Sequence, residues 1–337
     1  MSSVALEIRL DEVDHARQLR ADARRGLSAK SKWLPPTWLY DARGSDLFEQ
    51  ITRLPEYYPT RLERAILADH AAETAHLTAA ETLVELGSGS SEKTRLLLDA
   101  LSQQGTLEMF APLDVSESAL AAAADAISDE YPDLPVAAVV GDFTRHLSKL
   151  PGDGGRLVAF LGGTIGNLLP DDRAQFLTYL RTCLEPGDWF LLGAGLVTDP
   201  EVLVPAYDDA AGVTAEFNRN VLRVLNRELG ADFDLSAFEH VAVWDSEQEW
   251  IEMRLRATRP MTVQLPALSL TIEFMQGEEL RTEVSAKFRR DSLTRELTDA
   301  GFAVQHWWTD PDERFGLVLA QVVDPMSGSS AVRLPLR

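Results

Sequence analysis

The chain is 337 residues long, 45% hydrophobic and 25% charged, which is enough to bury a sizeable core and excludes a disordered polymer. Its 53 acidic against 32 basic residues give a net charge of −21, which repels phosphate backbones and anionic lipid and argues against a nucleic-acid or membrane-surface partner. One cysteine, Cys183, excludes an internal disulfide and fits a reducing cytoplasm, residues 1–15 lack the basic start and apolar core of a signal peptide, and the longest mostly apolar run, 157–169, is too short and glycine-rich to span a membrane.

Residues 11–26 read as a polar helix, which Leu34-Pro35-Pro36 breaks. Trp38-Leu39-Tyr40-Asp41 and Leu54-Pro55-Glu56-Tyr57-Tyr58-Pro59 read as turns rich in proline and tyrosine. From there the pattern alternates: helix over 61–80, strand over 82–86, helix over 91–101, strand over 109–113 and helix over 117–131. Strands over 136–140 and 156–161, a helix over 171–184 and a strand over 189–197 continue it. Continuous apolar strands separated by helices predict βαβ units and a parallel sheet covered on both faces. Near residue 198 the pattern changes. Residues 200–229 read as mostly helical, with Arg219, Arg223 and Arg227 on one solvated face, and 240–256 and 261–274 alternate as antiparallel strands do. A helix over 291–300 and strands over 302–309 and 315–323 follow. The predicted fold class is α/β, a doubly wound, mostly parallel Rossmann-like sheet with a second, α+β substrate-binding domain. Residues 61–197 and 287–337 fall in the first domain, and 1–60 and 198–286 in the second.

The strongest local signal is Val84-Glu85-Leu86-Gly87-Ser88-Gly89-Ser90-Ser91-Glu92-Lys93, which follows an apolar strand and opens a helix. Glycines at such a turn let backbone approach a ligand closely. A dinucleotide fold wants a third small residue three places after the second glycine. Glu92 stands there, and a carboxylate would crowd and repel a pyrophosphate. S-adenosylmethionine, with an amino-carboxylate end, a sulfonium and no phosphate, fits an acidic turn better, and Lys93 can pair with its carboxylate. Asp114 ends the second strand of the alternating series, where a carboxylate can accept from both ribose hydroxyls. In Gly141-Asp142-Phe143, at the end of the third, Asp142 can accept from the adenine amino group while Phe143 packs on the ring. Each alone is more often a turn or cap. The three in order, each at a strand C-terminus, line the ligand crevice of a doubly wound sheet.

The other candidates are weaker on residue type alone. Asn167, in Gly162-Gly163-Thr164-Ile165-Gly166-Asn167, can orient an acceptor nitrogen, but by itself reads as the N-cap of the next helix. Tyr40, Tyr57 and Tyr207 can bind a carboxylate or amine, though rim packing is commoner. Glu283 and Ser285, in Thr282-Glu283-Val284-Ser285 at the end of a strand or loop, would ordinarily be a solvated charge and a cap. The six histidines show no metal-ligand spacing, so no metal is expected, and no Gly-x-Ser-x-Gly elbow supports acyl transfer.

Longer stretches carry a resemblance. Leu34-Pro35-Pro36, Tyr40-Asp41-Ala42, Gly44-Ser45-Asp46-Leu47-Phe48 and Ile51-Thr52-Arg53-Leu54-Pro55-Glu56-Tyr57-Tyr58-Pro59-Thr60-Arg61 form the first half of it. Leu86-Gly87-Ser88-Gly89, Thr164-Ile165-Gly166-Asn167, Tyr207-Asp208-Asp209 with Phe217-Asn218, and Glu283-Val284-Ser285 with Lys287-Phe288 form the second. Over about 34–323 the chain resembles the histidine-specific methyltransferase family of ergothioneine biosynthesis. The resemblance implies a Rossmann-like domain, S-adenosylmethionine as cofactor, and three methyl transfers to the α-amine of L-histidine, giving hercynine. It places S-adenosylmethionine on Gly87, Lys93, Asp114, Asp142 and Phe143. It places the amino-carboxylate end of histidine on Tyr57, Asn167 and Tyr207, the imidazole on Glu283 and Ser285 with Tyr40 nearby, and Met253 in the pocket wall. The catalytic set it implies is Asn167, Tyr40 and Tyr207, with protons leaving to solvent through Tyr40. Two departures stand out: Gly193-Ala194-Gly195 replaces an expected Thr-Asp pair after the first glycine, and Ala286 an expected cysteine. A cytoplasmic monomer is expected. The alternatives are methylation of another aromatic amino acid or a histidine derivative, a nicotinamide dehydrogenase, and a non-catalytic S-adenosylmethionine-binding sensor. Glu283 argues against an indole pocket, Glu92 against the dehydrogenase, and the intact Tyr57, Asn167 and Tyr207 against the sensor.

Overall fold

A computed structural model describes residues 4–323 except 11, 149 and 153. It opens with β1 (Val4–Ile8), α1 (Glu12–Leu27), β2 (Lys32–Trp33), α2 (Ala42–Ile51) and α3 (Tyr58–Thr78). There follow β3 (Thr82–Leu86), α4 (Arg95–Gln104), β4 (Met109–Asp114), α5 (Glu117–Glu130), β5 (Val136–Val140), β6 (Arg156–Phe160), α6 (Pro170–Thr182) and β7 (Trp189–Gly195). Next come α7 (Pro200–Tyr207), α8 (Val213–Leu229), β8 (Phe238–Asp245), β9 (Trp250–Ala257), β10 (Met261–Leu265), β11 (Leu270–Phe274) and β12 (Glu279–Ala286). Finally α9 (Arg290–Asp299), β13 (Phe302–Thr309) and β14 (Phe315–Val322) return to the first sheet.

Among the described residues the large sheet has eight strands in the order β1-β5-β4-β3-β6-β7-β14-β13. β14 runs antiparallel to β7 and to β13, while the strands from β1 to β7 are mutually parallel. Every residue of β3 is buried, because helices lie over both faces. One apolar cluster joins β3, β4 and β6 to α6 and α9, and another joins the opposite side of the sheet to α3, α4 and α5. From β3 the chain moves to β4 on one side and later returns to β6 on the other. The crevice beyond the C-terminal ends of β3 and β6 is therefore the switch point at which ligands bind such sheets.

A third apolar cluster unites α1, α2, α7, α8 and the smaller sheet β2-β12-β9-β8. The expected antiparallel stretches resolve into the hairpins β8–β9 and β10–β11, and β12 adds a strand against β9. Two features were not expected. β1 pairs in parallel with β5, so the division that set 1–60 wholly apart from the large sheet fails at its first strand. α2 is a helix in the stretch between the two expected turns that carried no assignment, and Asp41 caps it by accepting from the Gly44 N–H at 2.9 Å. The part of the expected first domain at 324–337 lies outside the described residues. On α8 only Arg227 is exposed as expected. Arg219 and Arg223 are half-buried, and both pair with Glu216.

Asp41 also accepts from Asn220 Nδ2 at 2.6 Å and Arg227 Nη1 at 2.7 Å, which ties α2 to α8. Asp41→Ala removes the cap and leaves the buried Asn220 amide without that acceptor. We expect a loss of about 2 kcal/mol, read as a lower urea midpoint. An unchanged midpoint would show that the α2–α8 link is dispensable.

Candidate active site

The turn after β3 is built from the inside. Glu85, within β3, accepts from Ser91 Oγ at 2.7 Å and from Thr94 Oγ1, so a buried carboxylate organises the loop and the first turn of α4. Gly87 takes a left-handed φ of 67°, and a Cβ on Gly87 or Gly89 would meet nothing within 4 Å. Beside them Ser88 Oγ is buried with no hydrogen-bond partner. The turn thus faces open space with an unmet donor, as a ligand cradle does. Asp114, at the end of β4, accepts from the Gly89 N–H and the Ser116 N–H, both at 2.9 Å. Burial raises its pKa, and those backbone donors oppose the shift. Asp142 follows β5 and accepts from the N–H and hydroxyl of Thr144 at 2.8 and 2.7 Å. Phe143 packs edge-on to Phe160 and Phe176. Glu92 is exposed, so the carboxylates facing the turn are Glu85 and Asp114.

Lys93 is not free. It pairs with Glu63, a fully buried glutamate of α3 whose two oxygens also accept from the Gly162 N–H at 2.8 and 2.9 Å. The pair spans the gap between β3 and β6. It also accounts for the glycine at 193, the one expected position of Gly193-Ala194-Gly195: a Cβ there would lie 1.9 Å from Glu63 Oε1. The signal for Glu63 was faint but present, a carboxylate one helical turn before the buried Ile66 and Leu67 on an apolar helix face.

Beside the crevice lies a small, partly open pocket walled by Phe48, Tyr57, Tyr207, Phe217, Met253 and Glu283. Phe48 and Phe217 were not expected there as site residues. Tyr57 and Tyr207 meet edge to face with ring centroids 6.2 Å apart. Met253 on β9 is the register partner of Glu283 on β12. Tyr40 is packed edge-on to Phe48 and Phe217. Burial holds its hydroxyl pKa well above the ordinary value, and Glu283, Tyr207 and Asp114 add to that. It stands within electrostatic reach of both crevice and cavity, and keeps its proton at neutral pH. Asn167 is not the cap of α6. Leu169 holds that position, and Asn167 Nδ2 donates to the Val284 carbonyl at 2.8 Å. The sequence-predicted residues therefore fall in two adjoining groups, Gly87, Lys93, Asp114, Asp142 and Phe143 at the crevice and Tyr40, Tyr57, Asn167, Tyr207, Met253, Glu283 and Ser285 at the cavity.

Glu283 is 8% exposed. Burial raises its carboxyl to about 7, opposed by the charge of Lys287 and by Asn167. Lys287 is the mirror case: burial lowers it to about 7, while Glu283 holds it up. Lys287 Nζ donates to Tyr207 Oη and to Ser285 Oγ, each at 2.7 Å, and those hydroxyls lie 2.8 Å apart. Lys287 was quoted in the sequence only as part of a motif. Its place becomes legible once β12 is seen as a strand, since residues 283, 285 and 287 alternate onto one face. Among the described residues no group of three or more His, Cys, Asp or Glu could hold a metal ion, and no helix is long and apolar enough to cross a membrane.

The strand order β5-β4-β3-β6-β7-β14-β13 with β14 reversed, together with the glycine turn and carboxylates at successive strand ends, defines a class I Rossmann-like methyltransferase fold. Residues 19–322 match the family described as "Histidine-specific methyltransferase, SAM-dependent", and the chain belongs to it. It is 58% identical to the histidine N-alpha-methyltransferase of Mycolicibacterium smegmatis, over 90% of this chain and 95% of that one. It is 57% identical to the histidine N-alpha-methyltransferase of Mycobacterium tuberculosis, over 90% of this chain and 94% of that one. Ergothioneine biosynthesis protein 1 of Neurospora crassa is 31% identical over 85% of this chain and 33% of its own length.

Glu85 gives a pH test. Burial raises its carboxyl to about 7, with hydrogen bonds from Thr94 and Ser91 opposing. A carboxyl raised on folding contributes stability that is complete below the ordinary carboxylate range and is lost as pH rises through about 7. Relative to Glu85→Gln, the wild type should lose roughly 3 kcal/mol between pH of about 4 and 8. Thermal melts of both proteins across that range measure it. Parallel curves would mean that Glu85 does not titrate in the folded state.

Proposed function

We propose that this protein transfers three methyl groups from S-adenosylmethionine to the α-nitrogen of L-histidine, giving hercynine, the first step of ergothioneine biosynthesis. One observation carries the substrate reading: a buried carboxylate, Glu283, stands in an otherwise aromatic and thioether-lined cavity. Such a group is costly to bury for an indole or phenyl side chain. It is offset by an imidazole N–H, and a site built for a donor rejects analogues lacking it. The relatives named as histidine N-alpha-methyltransferases support the same choice.

In this reading Lys93, Gly87, Asp114, Asp142 and Phe143 hold the cofactor, whose sulfonium supplies an electrophilic methyl group. Tyr57, Asn167 and Tyr207 hold the amino-carboxylate end of histidine. Glu283 and Ser285 meet the imidazole, and Met253 closes the wall beside Glu283. Asn167, with its amide on Val284 O, offers its carbonyl oxygen to the α-nitrogen. None of these side chains is a strong base, so the protein works by fixing distance and alignment. Each transfer releases one proton from the nitrogen, and Tyr40, protonated and placed between crevice and cavity, passes it toward solvent by donating its own as it accepts. The scaffold is two domains, 61–197 with 287–323 for the cofactor and 12–60 with 198–286 for the amino acid, β1 joining the first. The protein acts as a cytoplasmic monomer on a small molecule, without nucleic acid.

Mass spectrometry of purified protein with S-adenosylmethionine and each common L-amino acid tests this. Three methyl groups on histidine alone is the expected result. Modified product from another amino acid with histidine untouched would overturn the substrate, and no product from any would overturn the enzyme reading. Glu283→Ala should lower kcat/KM for histidine about 100-fold while leaving the KM for S-adenosylmethionine within about twofold. Equal loss for both ligands would remove Glu283 from the imidazole.

The cofactor side has its own test. Gly193→Ala drives a methyl into the Glu63 carboxylate and so displaces Lys93. Calorimetric affinity for S-adenosylmethionine should fall about tenfold or more, with the folded protein retained. Unchanged affinity would mean that Lys93 does not touch the cofactor.

A further inference from the structure

Lys287 is 6% exposed and, among the described residues, makes no ion pair within 4.0 Å. A buried ammonium in that state is expensive, and burial accordingly pulls its pKa down to about 7. The protein nevertheless makes room for it. Its stem crosses the end of β7 at Gly195, where a Cβ would come within 3.2 Å of Lys287 Cδ. Its head lies 4.8 Å from the centroid of the Tyr207 ring and donates to both neighbouring hydroxyls.

Counting donors shows what this does. The ammonium spends two of its three hydrogens on Tyr207 Oη and Ser285 Oγ, so both oxygens act as acceptors toward it. The hydroxyls are 2.8 Å apart, so one of them donates to the other. Whichever does, one O–H is left over, beside the lysine nitrogen that holds both oxygens. That is a receptor for an anionic oxygen. Along the same strand face, at the far end of the line from 287 to 283, stands a carboxylate. A ligand lying along β12 therefore meets the hydroxyl pair held by Lys287 and then the Glu283 carboxylate, with Ser285 and Glu283 two residues of strand apart, roughly 7 Å.

We infer that Lys287 is a positioning residue that, with Ser285 donating to Tyr207, leaves the Tyr207 hydroxyl to donate to the substrate's α-carboxylate, making a free carboxylate a condition of binding. The inference rests on the amino-acid reading above and adds to it a charge acting from behind the contact residues. It predicts that the site selects amino acids over the corresponding amines and amides, and that Lys287 is the source of that selectivity.

The experiment compares L-histidine, L-histidinamide and histamine as ligands of the wild type and of Lys287→Met, by calorimetric titration and by initial rates. The wild type should prefer L-histidine to both analogues. In Lys287→Met the affinity and KM for L-histidine should worsen by about 10- to 100-fold and the analogues change little, so that the preference collapses. The kcat and the KM for S-adenosylmethionine should stay within about threefold. Removal of an unpaired buried cation should leave the melting temperature equal or higher. Equal losses for all three ligands would make Lys287 merely structural. A fall in kcat with unchanged KM would make it a proton acceptor instead. If the variant does not fold, absence of a carboxylate preference in the wild type alone overturns the inference. If the wild type methylates a different amino acid, the same comparison with that acid and its decarboxylated amine keeps this test separate from the choice of substrate.

Discussion

Gly193 and Gly195 share one face of β7, and a charged side chain lies against each. Glu63 reaches over Gly193 to the Gly162 N–H and Lys93, and Lys287 reaches over Gly195 to Tyr207 and Ser285. A Cβ at 193 would fall on the Glu63 carboxylate, and one at 195 would press on the Lys287 stem at 3.2 Å. Two bare positions thus admit two buried charges, one on the cofactor side of the sheet edge and one on the amino-acid side. The cost is large, since an unsolvated charge needs a partner or a full set of hydrogen bonds. Glu63 is satisfied internally by a lysine and a backbone amide. Lys287 has hydroxyls but no carboxylate in contact, Glu283 supporting its charge without touching it.

That difference decides what each charge is for. Glu63 is a brace: its oxygens are occupied, and it fixes Lys93 beside the strand ends without itself reaching a ligand. Glu283 and Lys287 are pushed toward the same value, about 7, from opposite sides by the same burial. Each is destabilised while it lacks a partner and improves when a ligand of the right polarity arrives. A zwitterion with a side-chain N–H supplies both partners at once. Interactions of this kind set which molecule is held and in which direction, while rate comes from alignment of the nitrogen with the methyl donor.

How much of this was legible in the sequence follows from the physical range of each signal. The apolar runs 82–86 and 136–140 read as strands over the same residues that form β3 and β5, because burial on both faces leaves an unbroken apolar word. The cofactor turn was legible for a related reason: glycine, acid and strand end lie within a few residues of each other. β1 was invisible because its residues are exposed and its partner β5 lies far away in the chain. α2 was hidden by a glycine and a proline-rich neighbourhood, and only its cap, Asp41, announces it. The pairs Glu63–Lys93 and Lys287–Tyr207 join residues 30 and 80 positions apart, and no local pattern encodes such distances. Asn167 shows the limit from the other side. Residue type and place made it a helix cap, but the next helix begins later, at Pro170, and its amide goes to β12.

β12 is the element where these strands of reasoning meet. It forms a long hydrogen-bonded pairing with β9, so its alternation is held rigidly by a neighbour and the spacing of residues 283, 285 and 287 is fixed by backbone geometry. The register also sets Met253 beside Glu283 on the same face, which places a polarizable, adaptable side chain next to the one acidic group of the cavity. The 3-10 turn that carries Asn167 docks on the same strand through Val284 O. In the proposed reading, substrate length and polarity are thus referred to a single strand, and the cofactor to the ends of β3, β4 and β5 in the other sheet. The two frames are joined where Leu196 bridges Phe288, immediately beyond Gly195 and Lys287. The backbone that carries Lys287, whose nitrogen donates to Tyr207, is therefore pinned within a residue of the bridge that joins the two sheets.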